Sequence, residues 1–553
     1  MSSRPHSAIV FAIVLVAIFI LHVPLLQLPY FWDEAGYYVP AARDLLLHGS
    51  LIPITTVSNA HPPLVMAWVA LWWKLAGFAP LITRSAMLAV AAFSLLGLFR
   101  VALRLANVEV AVAATVCTAL YPVFFAQSSL AQVDLAAAGL TFWALSAYFE
   151  GRPVAMATWF SLAALAKETA ILAPVALAGW EILRLILPRI DTYIGSMPSH
   201  PQGSIPRSRI IFLLTPIVPL VLWYAYHYLK TGYVFGNPEF FRYNVASTMN
   251  PLRFLLALLL RLWEILGYMH LWVLTVGMAL AMLLSPVKHN GLERRRIAIP
   301  EQAILLVVIA AYVAAMALIG GAVLARYMLP AVPLVIILAV ATLWRRLRWW
   351  PAAIAIVGAS FVLSWFWNPP YGFSPEDNLS YRDFIVVHQN AERFLEARYP
   401  MARVLTAWPA SGELVSPWLG YTTRPMQVVR IEDFSLDEVL SAAEARRSGS
   451  ADYDIVLVFS DKYEPARPLL ERWTAWTDMK RRFFGYHRDV PPELAAQILG
   501  GKIVFIDLRN GQWAAVIEIA RNEIQEARLC APHEMAGVGL DDQPDLASNF
   551  KLK

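Results

Sequence analysis

The sequence predicts a polytopic α-helical membrane protein with a C-terminal α/β domain, and three observations carry that reading. Of the 553 residues, 58% are hydrophobic and only 15% charged, with a mean hydropathy of +0.53; a soluble chain carries about a quarter charged residues. The apolar residues come in long blocks such as Ala8–Leu28, Ala86–Phe99 and Ala303–Ile319, and about 20 mostly apolar residues let a helix cross the hydrocarbon layer. After Trp367 the composition turns ordinary and charged.

Taken in order, the blocks predict about 11 transmembrane helices, near residues 8–28, 84–106, 109–126, 134–150, 153–167, 169–187, 210–229, 267–285, 302–320, 328–344 and 350–366. No small-x-small cleavage site follows the first block, so it reads as a retained anchor. Segments 40–48, 62–78 and 252–265 read as helices at the interface, where Trp68, Trp72, Trp73, Arg261 and Trp263 suit the depth. Basic residues fall in alternate loops: Arg184, Arg189, Arg207 and Arg209; Lys288 and Arg294–Arg296; Arg345, Arg346 and Arg348. Positively charged loops stay cytoplasmic, so an odd number of spans places residues 367–553 outside. The net charge of +5 then reflects topology rather than nucleic-acid binding. The two cysteines, Cys117 and Cys530, have neither metal-ligand nor redox spacing. The domain expectation is therefore 1–366 in the membrane and 367–553 outside it, with Pro188–Pro206 the single linker-like stretch.

In the tail, Phe384, Val387, Ala391, Phe394 and Leu395 share one side of a helix over Arg382–Tyr399. Arg403–Ala407, Met426–Ile431, Ile455–Ser460 and Lys502–Leu508 are β-rich, and Leu436–Arg447 is helical. Asn510-Gly511 between β-rich runs predicts a hairpin turn. Asn378-Leu379-Ser380 fits an N-glycosylation sequon.

Ionisable groups beside membrane helices are functional suspects because they are costly there. Five motifs share one membrane face. Asp33 and Glu34, in Phe31-Trp32-Asp33-Glu34, offer a general base or a solvated pair that ends the first helix. His61, in Asn59-Ala60-His61-Pro62-Pro63-Leu64, stands at a helix N-terminus suited to anions, or is an ordinary interfacial histidine. Asp134 opens the fourth span, where an acid also suits the helix dipole. Lys167 and Glu168 are wedged between two apolar stretches, as a structural pair or as a phosphate contact. Arg326 and Tyr327 enter the tenth span, either as an interfacial anchor or with the planar fork that binds phosphate. Together they predict a cleft for a phosphorylated amphiphile. No P-loop, dinucleotide glycine pattern, G-x-S-x-G or H-E-x-x-H is present.

At these residues the chain resembles the GT-C glycosyltransferases of the dolichyl-phosphate-mannose–protein mannosyltransferase type, including bacterial lipid A aminoarabinose transferases. The resemblance rests on Trp32-Asp33-Glu34, His61-Pro62-Pro63-Leu64, Asp134, Ala166-Lys167-Glu168, Gly236-Asn237-Pro238-x-x-Phe241 and Arg326-Tyr327-x-x-Pro330, spread over residues 1–345. It implies an inverting transfer of a sugar from a polyprenyl-phosphate donor to a protein, lipid or glycan acceptor, at the outer face of a bacterial inner membrane. By the same resemblance Asp33 is the general base, Glu34 assists, and Asp134 is a second acid. His61, Lys167, Arg326 and Tyr327 hold the donor phosphate, and Glu168 and Asn237 line the cavity. His61 stands where some relatives carry lysine. Asp33 and Asp134 are also a donor set for one shared divalent cation, which leaves metal dependence open.

A transporter or flippase would share the many spans and intramembrane charges. Such proteins tend to have two related halves with interrupted helices at mid-membrane, whereas here the charges lie at helix ends on one face. A binding or sensory protein would leave Asp33 and Asp134 without a purpose. An oligosaccharyltransferase or a polymerase using a lipid pyrophosphate stays open among enzymes.

Overall fold

The computed structural model describes residues 7–187, 207–236, 250–289, 291–319, 323–465 and 473–520. Wherever an apolar block stands, a helix forms: α1 (Ser7–His22), α2 (Val39–His48), α3 (Leu64–Ala76), α4 (Pro80–Leu105), α5 (Val108–Leu120), α6 (Pro122–Gln127), α7 (Asp134–Phe149), α8 (Pro153–Ala166) and α9 (Leu172–Ile186). After the linker come α10 (Arg207–Leu214), α11 (Ile217–Thr231), α12 (Pro251–Leu266), α13 (Leu271–Met282), α14 (Ile299–Ile319), α15 (Val332–Arg346) and α16 (Trp350–Phe366). Proline opens many of them, among them Pro80, Pro122, Pro153 and Pro251, where its missing N–H costs nothing.

Among the described residues six helices are long and apolar enough to cross a membrane. Several expected spans are shorter than expected because proline interrupts them: Tyr121-Pro122 separates α5 from α6, and Pro216 separates α10 from α11. The three segments expected at the interface are helical as well, forming α2, α3 and α12.

The basic loops meet at one end of the bundle. Arg345 donates to Glu293 (3.0 Å), Arg294 to the Trp344 carbonyl (2.5 Å), and Arg184 and Arg209 both pair with Glu181 (3.3 and 3.4 Å). The motifs carrying Asp33, His61, Asp134, Lys167 and Arg326 gather at the other end.

The tail folds as expected. α17 (Ser380–Arg398) packs across a five-stranded sheet of order β4-β3-β5-β7-β6. Its strands are β3 (Arg403–Thr406), β4 (Gln427–Arg430), β5 (Ile455–Phe459), β6 (Gly501–Arg509) and β7 (Gln512–Ile519), and β1 (Lys288–His289) and β2 (Leu292–Glu293) form a separate small hairpin. β3 pairs in parallel with β4 and β5, and β7 runs antiparallel to β5 and β6. Asn510 (φ 46°) and Gly511 (φ 85°) make the turn between β6 and β7, both in the left-handed region that such a turn requires. α18 (Ala410–Val415) and α19 (Leu436–Arg447) connect the early strands. Asn378 is buried with its amide bonded to Ser364, Asn368 and Ser380, so the sequon is structural.

The tail does not stand apart from the bundle. A single apolar cluster joins Phe31, Tyr38, Met66, Phe125 and Ala166 to Tyr381, Phe384, Leu414, Phe459 and Val516. The helix ends near Phe31 and Ala166 and the α/β domain thus share a core across the expected boundary at residue 366.

Candidate active site

The Trp32-Asp33 segment is held by aromatic packing from the tail. Trp32 lies edge-on to Trp408 (4.9 Å) and Phe384 (5.6 Å), and Tyr421 donates to the Tyr30 carbonyl (3.0 Å). Two site residues follow a backbone position with positive φ: Trp32 (φ 44°) precedes Asp33, and Ala60 (φ 59°) precedes His61. Non-glycine residues in this region carry strain, which collects at functional sites. The Ala60 carbonyl is fixed by Trp223 from α11 (2.9 Å).

Arg326 organises the cluster. It stands in the short helical turn Ala325–Met328 ahead of α15, and its guanidinium donates to Asp33 and to Glu376 and faces Asp134 Oδ2 at 3.3 Å. Lys167, at the end of α8, donates to Asp134 Oδ1 (2.5 Å) and lies over the Tyr327 ring (3.9 Å). Asp134 opens α7, so three helix ends and the linker to the tail converge here. Asp134, Glu376, Lys167 and Arg326 are buried, whereas the Asp33 side chain is 20% exposed. His61 pairs through Nδ1 with Glu168 (2.7 Å) and stacks on Tyr38 (5.9 Å), which lies within electrostatic reach of Asp33, Arg326 and Asp134. Asn237 lies outside the described residues.

Glu34 is not in this cluster. Its side chain is fully buried with Arg84, which donates to it at 2.5 Å, and the backbone N–H groups of Phe31 (2.9 Å) and Ala131 (2.5 Å) complete its shell. The expectation that Glu34 assists Asp33 does not fit this placement. Adjacent side chains diverge, and Glu34 has turned inward. The space between Asp33 and Asp134 holds the Arg326 guanidinium, so an ion shared by the two acids would have to displace it.

Sequence reading missed Glu376, Gln132 and Arg261. Glu376 accepts from Gln132 (2.9 Å) as well as Arg326, and burial holds its carboxyl above the usual range. Its one signal was an acid just past the last span, on the face already predicted. Arg261 is fully buried, with its guanidinium 5.7 Å from the Tyr327 ring. Glu264 (2.7 Å) and the Leu324 carbonyl (3.0 Å) take one nitrogen, while Nε and Nη2 have no hydrogen-bond partner among the described residues. In the sequence its segment, 252–265, reads as an interfacial helix whose depth suits Arg261.

No protein-family model matches the sequence, and no curated protein matches it. Among solved structures, ArnT from Cupriavidus metallidurans bound to undecaprenyl phosphate is similar at TM-score 0.51 and 11% identity, with 92% of this chain and 97% of that chain covered. Looser likenesses include the archaeal oligosaccharyltransferase AglB from Archaeoglobus fulgidus with an inhibitory peptide and a dolichol-phosphate (TM-score 0.46, 12% identity, 92% and 74% covered). Another is the arabinofuranosyltransferase AftD from Mycobacteria (0.42, 15%, 94% and 42%). Because the superposition with ArnT runs over nearly the whole of both chains, it establishes that this chain shares the fold of that structure.

Proposed function

We propose that the chain is a membrane glycosyltransferase that moves a sugar from a polyprenyl-phosphate donor to an acceptor hydroxyl, with inversion, on the extracytoplasmic face. The observation that carries this is the Arg326 cluster. One guanidinium faces three acids, of which Asp33 alone reaches open space, beside a second buried cation. Asp33 is the general base for the acceptor hydroxyl, and Arg326 restrains it until the donor arrives. The donor phosphate draws the guanidinium onto itself, which releases Asp33 and places positive charge where the leaving phosphate gains negative charge. Lys167 and Arg261 flank Tyr327 from two directions and share the phosphate. Asp134 orients Lys167, and Glu34 acts as scaffolding.

The ArnT structure of like fold was solved with undecaprenyl phosphate bound, a ligand of the class this site would take. The donor's tail stays in the bilayer while its phosphate reaches helix ends at the surface. In this reading the bundle crosses a bacterial inner membrane about 11 times, residues 1–366 forming the membrane domain and 367–553 lying outside. Partners are the lipid-linked donor, a protein, lipid or glycan acceptor, and membrane lipids, with no nucleic acid.

Purified protein in nanodiscs, offered each donor class in turn, tests the chemistry. Turnover with polyprenyl-phosphate sugars is expected; turnover with nucleotide sugars alone would overturn it, and flipping of a lipid substrate without transfer would favour a flippase. For topology, Ser450→Cys is expected to react with an external thiol reagent while Ser204→Cys does not.

A further inference from the structure

We propose that His388, Glu392 and Glu413 bind one divalent transition-metal ion of the zinc class inside the C-terminal domain. His388 and Glu392 stand four residues apart on α17, so both project from one face of that helix. Glu413 meets them from α18. The His388 Nδ1 lies 2.7 Å from Glu413 Oε2 and 4.0 Å from Glu392 Oε1, and one ligand atom from each residue falls within 4.8 Å of the others. Ligand atoms around a tetrahedral zinc with bonds near 2.1 Å are about 3.4 Å apart, so separations must change by about 0.6 to 1.4 Å at most for an ion to sit between them.

The independent sign of a ligand is what these side chains lack. All three are essentially inaccessible, yet beyond the His388 Nδ1–Glu413 Oε2 hydrogen bond, both Glu392 oxygens, Glu413 Oε1 and His388 Nε2 have no hydrogen-bond partner among the described residues. Among the described residues no lysine or arginine pairs with either glutamate. The walls are aromatic: Phe384 stacks on the imidazole at 4.0 Å and Phe459 meets it at 4.4 Å. Two carboxylates and an imidazole facing one another in such surroundings need either a cation or a shared proton. One nitrogen and up to four oxygens form a borderline donor set that suits zinc-class ions better than magnesium or calcium.

The ion would be structural, because the site is closed to solvent. It would tie α17 to α18 directly behind Phe384, whose ring also meets Phe31, Trp32 and Phe459.

Elemental analysis of the full-length protein, purified without chelator, tests this whatever its catalytic activity proves to be. About one equivalent of zinc or a related transition metal per chain is expected, falling below about 0.1 in Glu392→Gln and Glu413→Gln. Should both variants fail to fold, chelator-treated wild-type protein is reloaded with cobalt. A four- or five-coordinate visible spectrum and a nitrogen/oxygen absorption-edge shell containing one imidazole are then expected. Metal-free wild-type protein whose melting is not raised by added zinc would overturn the proposal and leave a carboxyl pair sharing a proton. So would full metal content in both variants, or a sulfur-containing shell.

Discussion

Asp33 and Glu34 are neighbours in sequence and opposites in environment. Glu34 meets one arginine and two backbone N–H groups, and Arg84 also donates to the Ser129 and Pro29 carbonyls, with only its Nε lacking a partner among the described residues. Both side chains are fully buried, with one acid matched to one base. Asp33 meets Arg326, which must also serve Glu376 and Asp134, while among the described residues Glu376 Oε1 has no partner and Asp134 Oδ2 faces Arg326 Nε without a hydrogen bond. One acid matched to one base holds a fold; three acids around one shared guanidinium can exchange partners when a ligand enters. The comparison separates scaffold from site where composition does not.

The largest effect expected is on Asp33. Replacing it by asparagine keeps size and hydrogen bonding but removes the base, so turnover in nanodiscs should fall about 10²–10⁴-fold while the melting temperature barely moves. Wild-type turnover under conditions where chemistry limits the rate would place the base elsewhere.

Glu34→Gln should do the reverse. It leaves Arg84 buried without its counter-charge, a loss of about 3–5 kcal/mol, so folded yield and melting temperature drop while surviving protein keeps its turnover per molecule. Chromatographic recovery of monodisperse protein, compared with that of Asp33→Asn, measures the contrast. If the two variants behave alike, the division between scaffold and site fails.

A smaller effect sharpens the open side. Glu376→Gln removes one of the acids competing for Arg326, so the donor should bind more tightly, by roughly tenfold or ~1.4 kcal/mol. A titration of polyprenyl phosphate against wild type and variant reads this directly. Weaker binding would show that Glu376 positions Arg326 rather than competes for it.

Much of this was legible in the sequence. Helix positions followed from hydropathy, and the tail from alternating patterns and one Asn-Gly turn, because those signals are local. Arg326, Lys167, Asp33 and Asp134 were visible as costly charges at helix ends. What stayed hidden depended on contacts between distant segments. Whether Glu34 turns in or out is decided by Arg84 fifty residues away, and Glu376 joins Arg326 only because the tail folds back onto the bundle. The shared core of loop and tail was hidden for the same reason. No periodicity reports which apolar faces meet.

The mildest test uses a third charge cluster, on the tail, as the surface reference for the other two. His487 lies 3.5 Å from Asp461 and 3.4 Å from Asp489, with Lys462 beside them, and its side chain is 30% exposed. The carboxylates of Asp461 and then Asp489 beside it raise its pKa from 6.5 to about 10. A folded-state pKa above the unfolded one stabilises fully below pH 6.5, and the contribution is lost as pH rises through 10. Burial raises Asp489 to about 6, so its own titration is largely over below that window, and Asp461, held low by His487, titrates lower still. His487 therefore governs the interval. Hydrogen exchange in the sheet over 455–519 of the full-length protein should become faster from pH 7 to pH 10 beyond the intrinsic rate. The loss is about 1 kcal/mol or less, because solvent screens partly exposed pairs. In His487→Gln that added slope should vanish. Its persistence would mean that the tail draws its pH response from another group, and that even this cluster is scaffold of the Glu34 kind.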